Sequence, residues 1–323
     1  MKIIVTGSCG FIGSHVSEAL LQMGHTVLGI DNMNEDIYEF KYKESNQMML
    51  MKYRNYIHKT DDIMEKHYLH RFLPDVVIHL AGYANVRISE EIPYAFVRNN
   101  VEVTTVLLQA MAQLNDMAPL LIYASSSSVY GNQPPPFTED AVSTETIVSP
   151  YGMTKKMCED MVSLYCRRYK LNAIGLRFFT VYGPRGRPDM AIMQFLKNIH
   201  HGTPITVYED PTGKESKRDY TYISDIVDGI LRCLTAHPKT ETGRHTLYNL
   251  GSGQSTRLQE VIAYCEQVCG KRAVVNTYEK PECDVLVTLA DIGKAQRELN
   301  YHPRVSLLEG IQATYVAATA AGL

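Results

Sequence analysis

Apolar residues come in short runs along this chain, and each run is followed by a stretch of helical period. KIIVT at 2–6 has strand length, glycine closes it, and FIGSHVSEALLQMG behind it repeats apolar positions at helical spacing. The same alternation predicts strands at 25–31, 55–60, 75–81, 119–125 and 172–178, with helices at roughly 93–115 and 151–169. Residues 33–55, rich in Met, Tyr, Lys and Asn, break the period. They read as an irregular excursion with a helix near 42–52, suited to a lid or a partner surface. Strands that alternate with helices predict a parallel sheet covered on both faces. Beyond 178 the pattern weakens to short strands at 205–209 and 246–251 and helices at 223–236, 256–269 and 306–321. The expected division is a main domain over 1–177 and a smaller mixed α/β lobe over 178–323, some of whose segments return to the first.

The chain is 323 residues long, 45% hydrophobic and 21% charged, enough for a large core. Its formal net charge of −3 gives no support to a nucleic-acid or membrane-surface partner. The apolar start is too short for a signal peptide and no run reaches spanning length, so a soluble cytoplasmic protein is expected. Seven scattered cysteines, an odd number, suit free thiols in a reducing compartment better than a disulfide framework or a metal site.

TGSCGFIG places Gly7, Gly10 and Gly13 between the first strand and the first helix. Glycines there permit a tight turn and close backbone approach, and the helix N-terminus offers unpaired N–H groups to a pyrophosphate. Asp31 ends the second strand, 18 residues beyond Gly13, where a carboxylate can accept the ribose hydroxyls of an adenosine and repel a 2′-phosphate. NAD is therefore expected, on a Rossmann-type doubly wound parallel sheet. Asp62 and Ile63, closing the third strand, are placed to touch adenine. In VSPYGMTKK, Tyr151 and Lys155 stand one helical turn apart. A free phenol, with a pKa of about 10, is a poor base at neutral pH, and a cation on the same helix face favours its anion.

Together, GxxGxxG, an acidic strand end and YxxxK resemble the extended short-chain dehydrogenase/reductase family, in its branch that modifies nucleotide sugars. The resemblance spans nearly the whole chain, through HLAG at 79–82, Asn99 in VRNN, SSSSVYG at 125–131, RFFTVYGPRGRPDMA at 177–191 and RDYTYISDI at 218–226. It implies an enzyme that holds NAD, with Phe11, Ile12, Asn32, Leu80, Ala81 and Asn99 among the cofactor contacts. It implies that Tyr151 takes a sugar hydroxyl proton while hydride leaves the same carbon. Lys155 would also hold the nicotinamide ribose, and Ser126 would donate or relay a hydrogen bond. It further implies a homodimer through two helices per chain, to which Val103, Leu107, Leu108 and Met111 and then Met157, Met161 and Leu164 would contribute.

The serine loop separates the reactions of the branch. Dehydratases carry Asp-Glu before VYG and UDP-glucuronate decarboxylases a Glu; here Ser127 and Ser128 stand there, as shapers of a sugar pocket. Ser125 reads as a turn residue. 4-Epimerisation is then the simplest chemistry. GPRGRPDM is similar to the UDP-glucuronate 4-epimerases, with Thr180 where UDP-galactose 4-epimerases have Asn. A sugar with a carboxylate calls for a guanidinium, so Arg185 and Arg187 are expected at the substrate, and the resemblance implies Arg187 as the carboxylate contact. Arg218 is expected at the UDP diphosphate and Asp284 near its ribose, while Asp225 is a helix cap or a ligand. The alternatives are a neutral UDP-hexose or N-acetylhexosamine 4-epimerase, a decarboxylase, a 4,6-dehydratase, and a non-catalytic NAD-binding protein. The segments 132–148 and 210–217 are longer than the family pattern, and Gly82 replaces its usual alanine.

Overall fold

The computed structural model describes residues 1–62, 67–236 and 242–323. Among these, seven strands form the central sheet: β1 (Lys2–Thr6), β2 (Thr26–Asp31), β3 (Tyr56–Thr60), β4 (Val76–His79), β5 (Leu120–Ser126), β6 (Ala173–Phe178) and β7 (His245–Leu250). All neighbours pair in parallel, in the order β7-β6-β5-β4-β1-β2-β3. The winding reverses between β1 and β4. Loops leaving those two strands part company there and open a crevice at the carboxyl edge of the sheet. β7 carries the chain back from the second lobe to the sheet, in register with β6 from His245 opposite Ala173 to Leu250 opposite Phe178.

The helices that matter here are α1 (Phe11–Gln22), α2 (Phe40–Leu50), α3 (Val103–Ala112), α4 (Pro150–Tyr169), α5 (Ala191–His201), α6 (Ile223–Cys233), α7 (Leu258–Cys269) and α8 (Leu307–Ala320). Successive strand residues point to opposite faces. Ile3 and Val5 meet Val16 and Leu20 of α1 and Ile226 and Ile230 of α6. Ile4 meets the other layer, Leu107, Leu108 and Met111 of α3 with Val162 and Cys166 of α4. Each such aliphatic side chain contributes roughly 1.5–3 kcal/mol on full burial. This uses up the α3 residues expected at a dimer contact, because Val103, Leu107, Leu108 and Met111 are all buried in their own core. Met157 and Leu164 of α4 are instead exposed, at 41% and 42%.

The helix expected over 93–115 is not uniform. An α-turn at Pro93–Phe96 widens into a π-helical stretch, Val97–Glu102, before α3. The wider turn accommodates an extra residue, a feature common at functional sites. Here it buries Asn100, whose amide donates to Tyr83 O at 3.1 Å and Thr154 Oγ1 at 3.0 Å and accepts from Tyr83 N at 2.7 Å.

In the second lobe α5, α7 and α8 pack Ile192, Phe195, Leu196, Val261, Cys265 and Ile311 against Ile205 and Val207. The strand Ile205–Glu209 pairs in parallel with Val275–Glu279. Sequence reasoning missed α5, because the glycines and prolines just before it read as continuing loop. Asp225 is neither a side-chain cap nor a cleft residue: it accepts from Arg304 N at 3.1 Å and Val305 N at 3.2 Å and pins the approach to α8. The long segment 132–148 is folded inward, with Phe137 stacked on Tyr130 at 4.6 Å and bonded through its N–H to Leu289 O at 2.9 Å. The described cysteines are all free thiols, and no described helix is long and apolar enough to cross a membrane.

Candidate active site

At the crevice, the β1–α1 turn is built around glycine. Gly7 has φ 68° and donates to Ile30 O at 2.8 Å; a Cβ on it would lie 2.8 Å from Ala81 N. A Cβ on Gly13 would lie 2.0 Å from Gly7 O. α1 then starts at Gly10 with no side chain capping its N–H groups. Unpaired N–H groups at the helix start, with no side chain between them and a ligand, fit the pyrophosphate of a dinucleotide. Asp31 braces this turn: its carboxylate accepts from Cys9 N at 3.0 Å and Met33 N at 2.9 Å, with the Lys43 ammonium 3.8 Å away. Asn32, Asp62, Leu80, Ala81 and Asn99 line the same groove as Gly7, Gly10 and Asp31. Ile63 lies outside the described residues. Phe11, Ile12 and Gly13 line the adjoining wider cleft.

That cleft, of about 880 Å³, lies between the carboxyl edge of the sheet and the second lobe. Ser126, Ser127, Ser128, Tyr151, Lys155, Thr180, Arg187, Arg218 and Asp284 all line it. Tyr151 is set by the start of α4. Ser149 caps the helix by accepting from Gly152 N at 3.1 Å, and Pro150 occupies the first helical position, where a missing N–H costs nothing. The Tyr151 ring packs edge-on against Phe96 with centroids 6.1 Å apart, and its N–H donates to Ser89 Oγ at 3.1 Å. One turn on, Lys155 Nζ donates to Ala124 O at 3.0 Å, which ties α4 to the end of β5. Ser126 Oγ accepts from Ser128 N at 3.1 Å and donates to Ser128 Oγ at 3.2 Å, so the loop curls into the turn Ser127–Val129. Behind them, burial and then the Lys155 charge hold the His79 imidazole down to about 3; neutral, it joins Thr6 Oγ1 at 2.7 Å and Thr104 Oγ1 at 3.2 Å.

The two arginines of the GPRGRPDM stretch part company. Gly186 N closes a turn on Gly183 O at 3.1 Å, and Arg185 inside it has φ 60°. Its side chain leaves the cleft for α1, where it lies against His15 and donates to Glu18 Oε2 at 2.8 Å. Arg185 is thus an anchor of this loop to α1, and the expectation that it faces the substrate is not met. Arg187 does face the cleft. It donates through Nε to Asp189 Oδ1 at 2.9 Å, through a terminal nitrogen to Asp189 Oδ2 at 2.5 Å, and to Ala84 O. Its guanidinium carbon also stands 5.9 Å from the Tyr38 ring centroid, so the 33–55 excursion reaches the site through Tyr38.

Arg218 comes from the strand Lys217–Arg218 and is fastened to the carbonyls of Val285 and Leu286, the latter at 2.7 Å. Asp284 meets Arg87 at 2.6 Å, and Arg87 stacks on Tyr208 at 3.8 Å. Arg87 was not legible in sequence: a lone arginine in the short helix Val86–Glu91 carries no signal until the fold sets it across the cleft from Asp284. Asn100 was missed because its neighbour Asn99 is equally plausible, and only the π-helical turn separates them. Glu159 and Arg177, a buried pair behind the serine loop, were missed as well. Glu159 stands two turns from Tyr151 on α4, a spacing that places it on the same helix face.

Residues 3–251 match the model of the NAD dependent epimerase/dehydratase family. A UDP-glucuronate 4-epimerase from Thermodesulfobacterium geofontis is 38% identical over 316 residues, covering 96% of this chain and 94% of that protein. The crystal structure of a UDP-glucuronic acid 4-epimerase from Bacillus cereus, in complex with UDP-glucuronic acid and NAD, matches with a TM-score of 0.91 at 34% identity, over 99% of this chain and 100% of that one. The structure of a UDP-glucose 4-epimerase from Thermotoga maritima with UDP-glucose matches with a TM-score of 0.86 at 27% identity, over 100% of both chains. With the glycine turn, Asp31 and the Tyr151–Lys155 face in one crevice, this chain belongs to the NAD-dependent epimerase/dehydratase family, as an enzyme whose cofactor is NAD.

Proposed function

We propose that the enzyme is a nucleotide-sugar 4-epimerase that interconverts UDP-glucuronate and UDP-galacturonate. The observation that carries this reading is Arg187 lining the same cleft as Tyr151, Ser126 and Thr180. NAD, when bound, supplies the hydride acceptor and donor for C4 of the sugar. Tyr151 removes the C4 hydroxyl proton and later returns it, with Ser126 bridging hydroxyl and phenol. Lys155, fixed to Ala124 O, keeps a positive charge on the face of α4 that carries the phenol. Asp189 and Ala84 engage three of the five Arg187 N–H groups, and the remaining two are enough for a carboxylate. The same grip suits the chemistry: a 4-keto hexuronate is a β-keto acid, and a held carboxylate is kept from the orientation that loses CO₂. Arg218 and Asp284 are assigned to the UDP moiety.

The carboxylates that line this cleft, Asp189 and Asp284, are engaged with Arg187 and Arg87, and serines occupy the positions before VYG. A dehydratase or decarboxylase would need a free acid there. One observation favours a second reading. Asp189 already compensates the Arg187 charge, as suits a neutral UDP-hexose. The variant R187A separates the two. Its kcat/KM for UDP-glucuronate is expected to fall by about 100-fold or more, and for UDP-glucose by only a few-fold, because the acid alone leaves a charge unpaired. Equal losses would assign Arg187 to the shared UDP or to the loop. We also infer a homodimer in the reducing cytoplasm. Val97, just before α3, and Met153, Met157 and Leu164 of α4 are apolar yet 37–42% exposed, which suits a covered face. Light scattering at micromolar protein is expected to give twice the chain mass; the mass of one chain would rule the dimer out.

A further inference from the structure

The serine loop is held at both ends by one buried ion pair that lines neither the groove nor the cleft. Glu159 lies on α4 eight residues after Tyr151 and four after Lys155, so the three share a helix face. Where Lys155 takes Ala124 O, Glu159 takes the next residue: Ser125 Oγ donates to Glu159 Oε1 at 2.6 Å. Arg177 on β6 grips the same carboxylate with two bonds of 2.8 Å, and both side chains are 2–3% exposed. The third arm of Arg177 donates to Tyr130 Oη at 2.9 Å and Glu139 O at 2.8 Å, and the Tyr130 hydroxyl donates on to Asn249 Oδ1 at 2.6 Å. Ser125 enters the loop and Tyr130 leaves it.

A buried ion pair is weak evidence for stability, since desolvation offsets most of its attraction. A fully satisfied buried network is better evidence for a fixed geometry. This one spans three strands and the helix that carries the base. We propose that Glu159 and Arg177, acting through Ser125 and Tyr130, are positioning residues that set Ser126 against Tyr151 for proton transfer. Ser125 is thereby no idle turn residue, although its hydroxyl is spent on Glu159 and takes no part in chemistry. The proposal rests on the epimerase reading, in which Ser126 serves Tyr151.

The test is S125A, with S125T and the double variant S125A/S126A, since E159Q can fail to fold for lack of a partner for Arg177. Turnover is read on whichever UDP-sugar the wild-type enzyme converts, so the sugar assignment does not enter. S125A is expected to lower kcat about tenfold, the scale of one misaligned proton-transfer group, with KM and bound NAD unchanged within about twofold. S125T, which keeps a donor, is expected to restore most of the rate. In the S126A background the further loss from S125A is expected to shrink to less than about twofold, because the group being positioned is gone. A wild-type kcat for S125A, an unrescued S125T, or the same tenfold loss in the S126A background would each overturn the proposal. Wild-type protein inert toward every UDP-sugar would overturn the functional reading, and this one with it.

Discussion

Removing one oxygen atom from Tyr151 is the smallest change that parts binding from chemistry. Its ring would still pack on Phe96, its N–H would still donate to Ser89, and Ser149 would still cap the helix at Gly152 N. Y151F is therefore expected to keep its NAD and its melting temperature while turnover drops by about 100-fold or more, the usual weight of a positioned base. Activity close to wild type would show that another group takes the proton. That Tyr151, Lys155 and the three glycines meet at one crevice was legible in sequence because their placement depends on local spacing, one helical turn or one tight turn, while Ser126 came from the resemblance of SSSSVYG alone. Arg185 and Arg187 were not separable that way. They are two residues apart on a loop with no fixed period; Arg185, at φ 60°, reaches Glu18, and Arg187 reaches Asp189 on the cleft wall.

The elements carry the site through their ends. α4 begins beside Tyr151 on the cleft wall, so its cap matters beyond helix stability. S149A is expected to destabilise the protein by about 1 kcal/mol, the usual cost of losing a side-chain N-cap, read as a lower urea midpoint with unchanged slope. An unchanged midpoint would mean that Pro150 and the packing of Tyr151 start the helix unaided. The seven strands of the central sheet were legible within a residue or two, since a buried parallel strand is a continuous apolar run bounded by turns, whereas the exposed Val275–Glu279 was not. The π-helical stretch Val97–Glu102 was not, because one extra residue in a turn leaves the apolar period almost intact. The excursion at 33–55 gave its helix, α2, but not its use: Tyr38 beside Arg187, Lys43 beside Asp31, and Asp36 bonded to the Tyr83 hydroxyl.

At the scale of the molecule, the cleft lies between the carboxyl edge of the sheet and the second lobe. Arg87 reaches from the first to Asp284 in the second, while β7 threads the second back into the first. That interleaving was legible only in outline, because long-range pairing such as β7 with β6 leaves no mark on local periodicity. The lining of the cleft is likewise a product of assembly: Thr180 and Arg187 come from one stretch after β6, and Ser126, Ser127 and Ser128 from the loop after β5. The direct measurement is incubation of purified enzyme with UDP-glucuronate, UDP-glucose and UDP-N-acetylglucosamine separately, with products resolved by NMR. UDP-glucuronate alone is expected to be converted efficiently, with UDP-galacturonate as the product. Epimerisation of the neutral sugars only, or release of CO₂ with a UDP-pentose as the main product, would contradict it.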